Sequence, residues 1–465
     1  MIVIGGGLAG CSAALALARA GRSVQLIESR SRLGGRVGST TDLVSGQTID
    51  YCQHVGMACC TSLLQLIEWL DQSQLWHRQR ELYFYAAAGE RQTLRALPLL
   101  PAPAHLGGWL LRWPGLTLLD RLSIARAMLA LNRVPVPNPP LIPPLIQSAE
   151  PLTPQMLPLD QQSALAWLQA HGQSPTALRR FWSTIVVSAL GEELSRVGLL
   201  AVAKVFQDGF LRKRDAFHLL IPQRPLDDLF GLRFHAKLIA SGVEVITKAS
   251  VAALNWTGSQ CTSVSLSDGR CLNAARFVIA VPWHGVQRLV VDCPDAKVRA
   301  IGAHADQLQG SPITGVHTWW DRPWLPTSHA VLVDGLCQWV FPHSHPETTS
   351  HDSRQAYYQI VISASRMLPR GDNEAIKKLI VDDLEKVFPE ARRARLLRVK
   401  AVTDPQAVFS VAPGTNLLRP ALGSHNANLY WAGDWVLSGW PATMEGAIRS
   451  GIAAAAAISE SRLRR

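Results

Sequence analysis

The chain has 465 residues, enough for two or more domains at roughly 100–200 residues each. Apolar residues make up 48% of it and charged residues only 17%, under the ~25% of an average globular chain, so intrinsic disorder is excluded and an unusually apolar interior or surface is implied. The 46 Lys and Arg against 35 Asp and Glu leave a formal charge of +11, which suits an anionic partner such as nucleic acid, a phosphorylated ligand, a dinucleotide or membrane headgroups.

Residues 2–4 form a short apolar run, followed by Gly5-Gly6-Gly7-Leu8-Ala9-Gly10 and an Ala/Leu-rich stretch to residue 20. Residues 23–28 are a second apolar run, so the opening predicts strand, helix and parallel strand in a covered, doubly wound sheet. It lacks the basic n-region of a signal peptide and is read as retained structure. Residues 97–131 are rich in Leu, Trp and Pro, with Arg112, Arg121 and Arg126 spaced through them and Arg133 just beyond. Residues 134–158 hold nine prolines in 25 positions, too many for a helix or a central strand, and predict an extended connection.

Farther along, residues 243–250 and 261–266 predict strands, Ser267-Asp268-Gly269-Arg270 a hairpin turn, and residues 277–281 a buried strand stopped by Pro282. Residues 315–321, 330–334, 336–341 and 357–363 predict an antiparallel sheet, followed by a helix over 373–387. A last strand over 428–432 and an Ala-rich helix over 445–459 close the chain. The expected class is α/β: a Rossmann-like domain assembled from 1–75, 215–290 and 400–465. An α+β substrate domain, carrying the antiparallel sheet and helices, comes from 76–214 and 291–399.

Gly5, Gly7 and Gly10 form a G-x-G-x-x-G loop between a strand and a helix, where glycines permit a tight turn, close approach to a pyrophosphate, and helix packing on the strand. The helix N-terminus adds free N–H groups and a positive dipole. Glu28 ends the next strand, where its carboxylate can accept ribose hydroxyls and disfavours a 2′-phosphate, so the ligand is FAD or NAD. Next comes Arg30-Ser31-Arg32-Leu33-Gly34-Gly35-Arg36, a basic double-glycine turn with Arg36 placed to neutralise pyrophosphate and Gly35 letting backbone run along the cofactor. Near the end, Gly433-Asp434 precedes Thr443-Met444-Glu445-Gly446-Ala447. Asp434 can accept from ribitol hydroxyls, and the helix start at Thr443 and Met444 can stabilise negative charge on a flavin ring.

These two ends resemble the FAD-dependent amine oxidase and phytoene desaturase superfamily. Inner stretches resemble one branch more closely, the squalene-associated FAD-dependent desaturases, or hydroxysqualene dehydroxylases. They are Ile49-Asp50-Tyr51-Cys52-Gln53-His54-Val55, Asp208-Gly209-Phe210 with Ile221-Pro222-Gln223-Arg224-Pro225-Leu226, Phe409-Ser410 with Pro413-Gly414 and Leu418-Arg419-Pro420, and Gly439-Trp440-Pro441-Ala442-Thr443. The resemblance implies FAD as cofactor, held by Gly5, Gly7, Gly10, Glu28, Gly35, Arg36, Gly433, Asp434, Thr443 and Met444, with the Val251 backbone meeting the adenine. It also implies that Gln53 and His54 pass the isoalloxazine ring as the catalytic pair, with His54 the candidate general acid. The family has Asn-Gly where this chain has Tyr51-Cys52, so a side chain replaces the glycine next to the flavin.

The implied reaction removes an allylic hydroxyl from hydroxysqualene and delivers hydride from flavin N5, giving squalene. The implied partners are a polyisoprenoid, an external reductant for FAD, and a membrane surface met through 97–131, where Trp109 and Trp113 stand among arginines. A cytoplasmic place, peripheral on the inner face of the membrane, follows. The basic tail Arg462, Arg464 and Arg465 suits anionic lipid. An amine oxidase, a carotenoid desaturase or a non-catalytic isoprenoid-binding protein are the alternatives on this scaffold.

Other chemistry is not expected. The eight cysteines include no C-x-x-C pair and fit free thiols in a reducing compartment. His343, His345 and His351 have no carboxylate at ligand spacing, so no metal is predicted. No nucleic-acid module supports that use of the charge, and no apolar run is long enough for a transmembrane helix.

Overall fold

The computed structural model describes residues 1–139, 152–343, 355–369, 371–423, 425–426 and 428–460. Part of the proline-rich connection, His345, His351 and the tail arginines lie outside them. In chain order the first elements are β1 (Ile2–Ile4), α1 (Leu8–Arg19), β2 (Val24–Ile27), β3 (Ser39–Thr41), β4 (Thr48–Asp50), β5 (Gly56–Met57), α2 (Thr61–Trp69), β6 (Trp76–Gln79), β7 (Leu82–Tyr85), β8 (Arg91–Leu94), α3 (Gly107–Leu111) and α4 (Leu118–Leu131). Helices follow to residue 211, then β9 (Leu219–Pro222), β10 (Val243–Ile246), β11 (Val251–Thr257), β12 (Gln260–Leu266), β13 (Cys271–Asn273) and β14 (Phe277–Ile279). The remaining strands are β15 (Gly310–Trp320), β16 (Ala330–Leu332), β17 (Trp339–His343), β18 (Ala356–Ser363), β19 (Leu396–Phe409), β20 (His425–Asn426) and β21 (Leu429–Trp431), and the last helix is Met444–Glu460.

One sheet has the order β10-β2-β1-β14-β21-β20, parallel except at β20. Its central strands β1, β14 and β21 are buried along their whole length, as apolar strands covered on both faces must be. The covering pair on one face is α1 and the last helix, both Ala-rich. Their backbones come so close that a Cβ on Gly451 would overlap the Ala9 carbonyl. The α/β class with a covered parallel sheet expected from the sequence is therefore present.

A second, seven-stranded sheet has the order β19-β15-β18-β17-β16-β7-β8. It recruits the β7–β8 hairpin from early in the chain, with β7 parallel to β16. The sequence pattern missed β19, which runs through position 400, where a domain boundary was expected, and pairs with β15 from Leu396 opposite Trp320 to Phe409 opposite Gly310. Asp404 and Pro405 break its alternation. The ladder accommodates them with a register shift between Ser311 and Ile313, so the proline, which has no N–H to give, sits at a bulge.

Two further readings need correction. The strand expected over 243–250 ends at Ile246, because Lys248 turns at φ 55° and the Lys248 and Ala249 N–H groups donate to the carbonyls of Arg30 and Glu28 at 2.9 and 3.0 Å. Trp109 and Trp113 do not face outward. They are buried against each other and against Phe84 and Phe181, in tilted and edge-on pairs that favour this arrangement by about 0.5–1.5 kcal/mol each beyond the area buried. The outward residues of this stretch are leucines instead.

The contact between α1 and the last helix leaves no room for a side chain. Gly451→Val should cost about 1–3 kcal/mol through overpacking, read as a lower midpoint in urea unfolding. An unchanged midpoint would show that the two helices do not approach this closely.

Candidate functional site

The glycine loop divides its labour by position. Gly5 turns at φ 108°, and a Cβ there would stand 2.6 Å from the Ala280 carbonyl oxygen. A Cβ on Gly10 would overlap the Gly5 carbonyl, so Gly10 lets α1 lie on β1. Gly7 differs, since a Cβ there meets no protein atom within 4 Å. The loop is thus closed behind and open at Gly7, where α1 begins without a side-chain cap and presents its first-turn N–H groups.

Glu28, almost buried, is anchored beside this opening. Its Oε2 accepts the Gly6 N–H at 2.7 Å and its Oε1 accepts the Arg30 N–H at 2.7 Å and the Ser29 hydroxyl at 3.1 Å. The double-glycine turn lies against the loop: Gly7 and Gly34 form a parallel bridge, and Gly35 at φ 63° has the Gly7 Cα beside it. Val251 opens β11 directly after the turn that hydrogen-bonds to Arg30 and Glu28. An open glycine cradle with a carboxylate on one side and an uncapped helix end on the other fits the adenosine diphosphate half of FAD.

Arg36 and Asp434 come from opposite ends of the chain and form one ion pair at 2.6 Å. Arg36 also donates to the Ala407 carbonyl at 2.9 Å, and its guanidinium lies 5.3 Å from the Trp283 ring centroid. Sequence reasoning gave these two residues separate tasks, on pyrophosphate and on ribitol, and the fold joins them. Gly433, at φ 145°, gives its N–H to the Ser450 hydroxyl at 2.8 Å. The Thr443 hydroxyl accepts the Gly446 N–H at 3.1 Å and donates to the Pro441 carbonyl at 3.1 Å, so it caps the last helix. Met444 is the first residue of that helix, half-buried beside the site. Glu445 is not free for chemistry, because its carboxylate accepts the Ser62 and Leu63 N–H groups at 3.0 and 2.8 Å at the start of α2.

The residue that sequence reasoning did not single out is Arg419. It is buried, and it donates to the carbonyls of Trp435, Asp434, Val436 and Trp440 at 3.2, 3.2, 2.8 and 2.7 Å and to Asn416 Oδ1 at 2.9 Å. Burial lowers its pKa to about 10, against the charges of Asp434 and Asp160, so it remains a cation at neutral pH. One guanidinium thereby holds the whole loop from Asp434 to Trp440. The signal was its place in the Leu418-Arg419-Pro420 stretch, but its partners are backbone atoms, which carry no sequence mark.

Gln53 and His54 lie on the turn after β4. His54 Nδ1 stands 2.9 Å from the Cys52 carbonyl, which can only accept, so this nitrogen carries the proton and Nε2 the lone pair. Burial, opposed by that hydrogen bond and aided by the Arg36 charge, lowers the His54 pKa, which keeps the ring neutral at pH 7. Gln53 donates to the His54 carbonyl at 3.2 Å and its Oε1 meets His343 Nε2 at 2.7 Å. The side chain at Cys52 finds its room across the interface. Gly315 of β15 faces it, and a Cβ on Gly315 would lie 3.0 Å from the Cys52 Cα. Burial pushes the Cys52 thiol up to about 12, so it stays protonated.

Residues 8–459 match the family model described as flavin containing amine oxidoreductase. A hydroxysqualene dehydroxylase from Zymomonas mobilis is 25% identical over 462 residues, 97% of each chain. A probable zeta-carotene desaturase and a 15-cis-phytoene desaturase from Synechococcus elongatus are each 25% identical over 98% of this chain and 98% and 95% of theirs. Among solved structures, cyclohexylamine oxidase from Brevibacterium oxydans superposes with a TM-score of 0.71 at 20% identity, over 100% of this chain and 99% of that one. Putrescine oxidase bound to putrescine gives 0.69 at 18%, over 99% and 98%.

Arg419→Met would strand several buried carbonyls and should destabilise the fold by about 3 kcal/mol. Arg419→Lys should recover only part of this, because an ammonium cannot reproduce the fork. Urea unfolding and the flavin retained through gel filtration measure both effects. Wild-type values in Arg419→Met would remove the residue from this role.

Proposed function

The chain belongs to the flavin containing amine oxidoreductase family and is an FAD-dependent oxidoreductase, and from that premise we propose that it reduces hydroxysqualene to squalene in squalene and hopanoid biosynthesis. FAD, when bound and reduced by an external donor, would supply the hydride. Gly5, Gly7, Gly10, Glu28, Gly35, Arg36, Val251, Gly433, Asp434, Thr443 and Met444 hold it in this reading. The chain's own task is then to seat an allylic alcohol, exclude water and help the hydroxyl leave.

The observation that carries the reading is the polar turn at Gln53 and His54. A hydrocarbon substrate offers nothing for a histidine whose Nε2 has no proton, whereas a hydroxyl-bearing polyisoprenoid does. Full-length similarity to a hydroxysqualene dehydroxylase agrees with it. In this role His54 Nε2 picks up a proton and delivers it to the departing hydroxyl oxygen, while Nδ1–H stays with Cys52. Gln53, held by His343, fixes the ring's backbone. The same reading includes contact with a membrane surface through 97–131 and an external reductant for FAD. Among the described residues no helix is long and apolar enough to cross a membrane.

Anaerobic incubation of the reduced holoenzyme with hydroxysqualene should yield squalene, followed by mass. No squalene, together with turnover of a carotene or an amine, would sink the proposal. The proton role has its own signature. The imidazolium is the active form and its pKa lies below the ordinary 6.5, so single-turnover rates should rise as pH falls through 6.5 and continue rising beneath it. His54→Gln should abolish this rise and slow the reaction by about 10²–10⁴-fold. A profile that persists in the variant would assign the proton elsewhere.

A further inference from the structure

Helix α4 breaks the usual rule for a surface helix. Its inward face is ordinary, with Ile124, Ala127, Met128 and Leu131 buried. Its outward face carries Leu118, Leu119, Leu122 and Leu129, which are 62, 78, 50 and 53% exposed. At about 100° per residue these leucines, with Arg126 and the following Arg133, fall in one arc opposite the buried set. Leu111 at the end of α3, which packs beside α4, and Leu99 in the preceding loop are also exposed, at 58 and 94%.

Charge along the stretch that carries α3 and α4 is almost wholly basic. Between positions 95 and 133 the only acid is Asp120, buried in the capping box of α4, while Arg95, Arg112, Arg126 and Arg133 are exposed. The loop before α3 leads to a second basic feature. Leu97 lies beside Gly108 of α3, and its carbonyl accepts from Arg214 at 2.9 Å. Next to it is a surface pocket lined by His77, Arg78, Arg80, Arg95 and His218, in which Glu81 pairs with Arg95 at 3.5 Å and the neighbouring Asp215 pairs with Arg78 at 2.6 Å, both pairs open to solvent so that a phosphate can compete for them.

A protein partner is usually met through exposed aromatic anchors. Here the tryptophans of this stretch are turned into the core and flexible leucines project among arginines, which matches the acyl–headgroup boundary of an anionic bilayer. We propose that this face docks on anionic phospholipid, with the α4 leucines and Leu99 entering the boundary and the pocket at Arg78, Arg80 and Arg95 receiving a headgroup phosphate. The proposal rests on reading 97–131 as a membrane contact and not on which reaction the site performs.

Flotation of the FAD-loaded protein with vesicles tests it. Vesicles containing phosphatidylglycerol should carry the protein up, and phosphatidylcholine alone should not. L119E/L122E should lower the bound fraction about tenfold, R80E/R95E less so, and added salt should mimic the latter. The control L379E, on a half-exposed leucine of the helix Asn373–Val387, should float like wild type. Flavin absorbance and turnover of detergent-dispersed substrate should be unchanged in all three variants, so a lost surface and a wrong reaction are told apart. Equal binding to phosphatidylcholine, unchanged flotation of L119E/L122E, or self-association in sedimentation that this variant abolishes would each overturn the proposal.

Discussion

The ion pair between Arg36 and Asp434 joins segments 398 positions apart in the chain. It forms because a parallel sheet brings the end of β21 alongside β14 and β1, so that the turns after β2 and after β21 open toward the same side. Two charges so close in a largely dry setting must be compensated, and each has help. Arg36 has the Ala407 carbonyl and the Trp283 face, and Asp434 has its own backbone held by Arg419. Loss of the pair would leave a nearly buried carboxylate unmatched, which costs more than the pair itself contributes.

Around that link the site is assembled from loops, each fixed by hydrogen bonds of its own side chains. Glu28 is anchored by backbone N–H groups and Thr443 is spent on the helix it caps. His54 commits Nδ1 to a carbonyl and keeps Nε2. Cys52 shows the same economy in steric terms. The side chain that replaces the family glycine is tolerated because the facing strand has Gly315. The close approach of the two segments thus rests on the glycine at 315.

Much of the fold was legible in order along the chain. The strands over 2–4 and 277–279, the helix Asn373–Val387 and the last helix carry strong local patterns, with apolar runs between turn residues or an Ala-rich face. β19 was not legible, because Asp404-Pro405 interrupts it and its pairing partner β15 is about 90 residues earlier. Trp109 and Trp113 misled for a related reason. An aromatic residue flanked by arginines looks interfacial in one dimension, and only the presence of Phe84 and Phe181 turns it inward.

The sequence alone determined the cofactor class and the sheet type, since a glycine loop, a carboxylate at the end of the next strand and buried β-rich runs act through spacing within some thirty residues, and spacing survives in one dimension. Tertiary structure decided what those residues do to one another. It paired Arg36 with Asp434, gave Arg419 the loop from Asp434 to Trp440, set the proton on His54 Nδ1 and turned the α4 leucines outward. Each of these depends on which distant atoms come within a few ångströms, and a hydrogen bond or a buried face exists only once the chain has closed on itself.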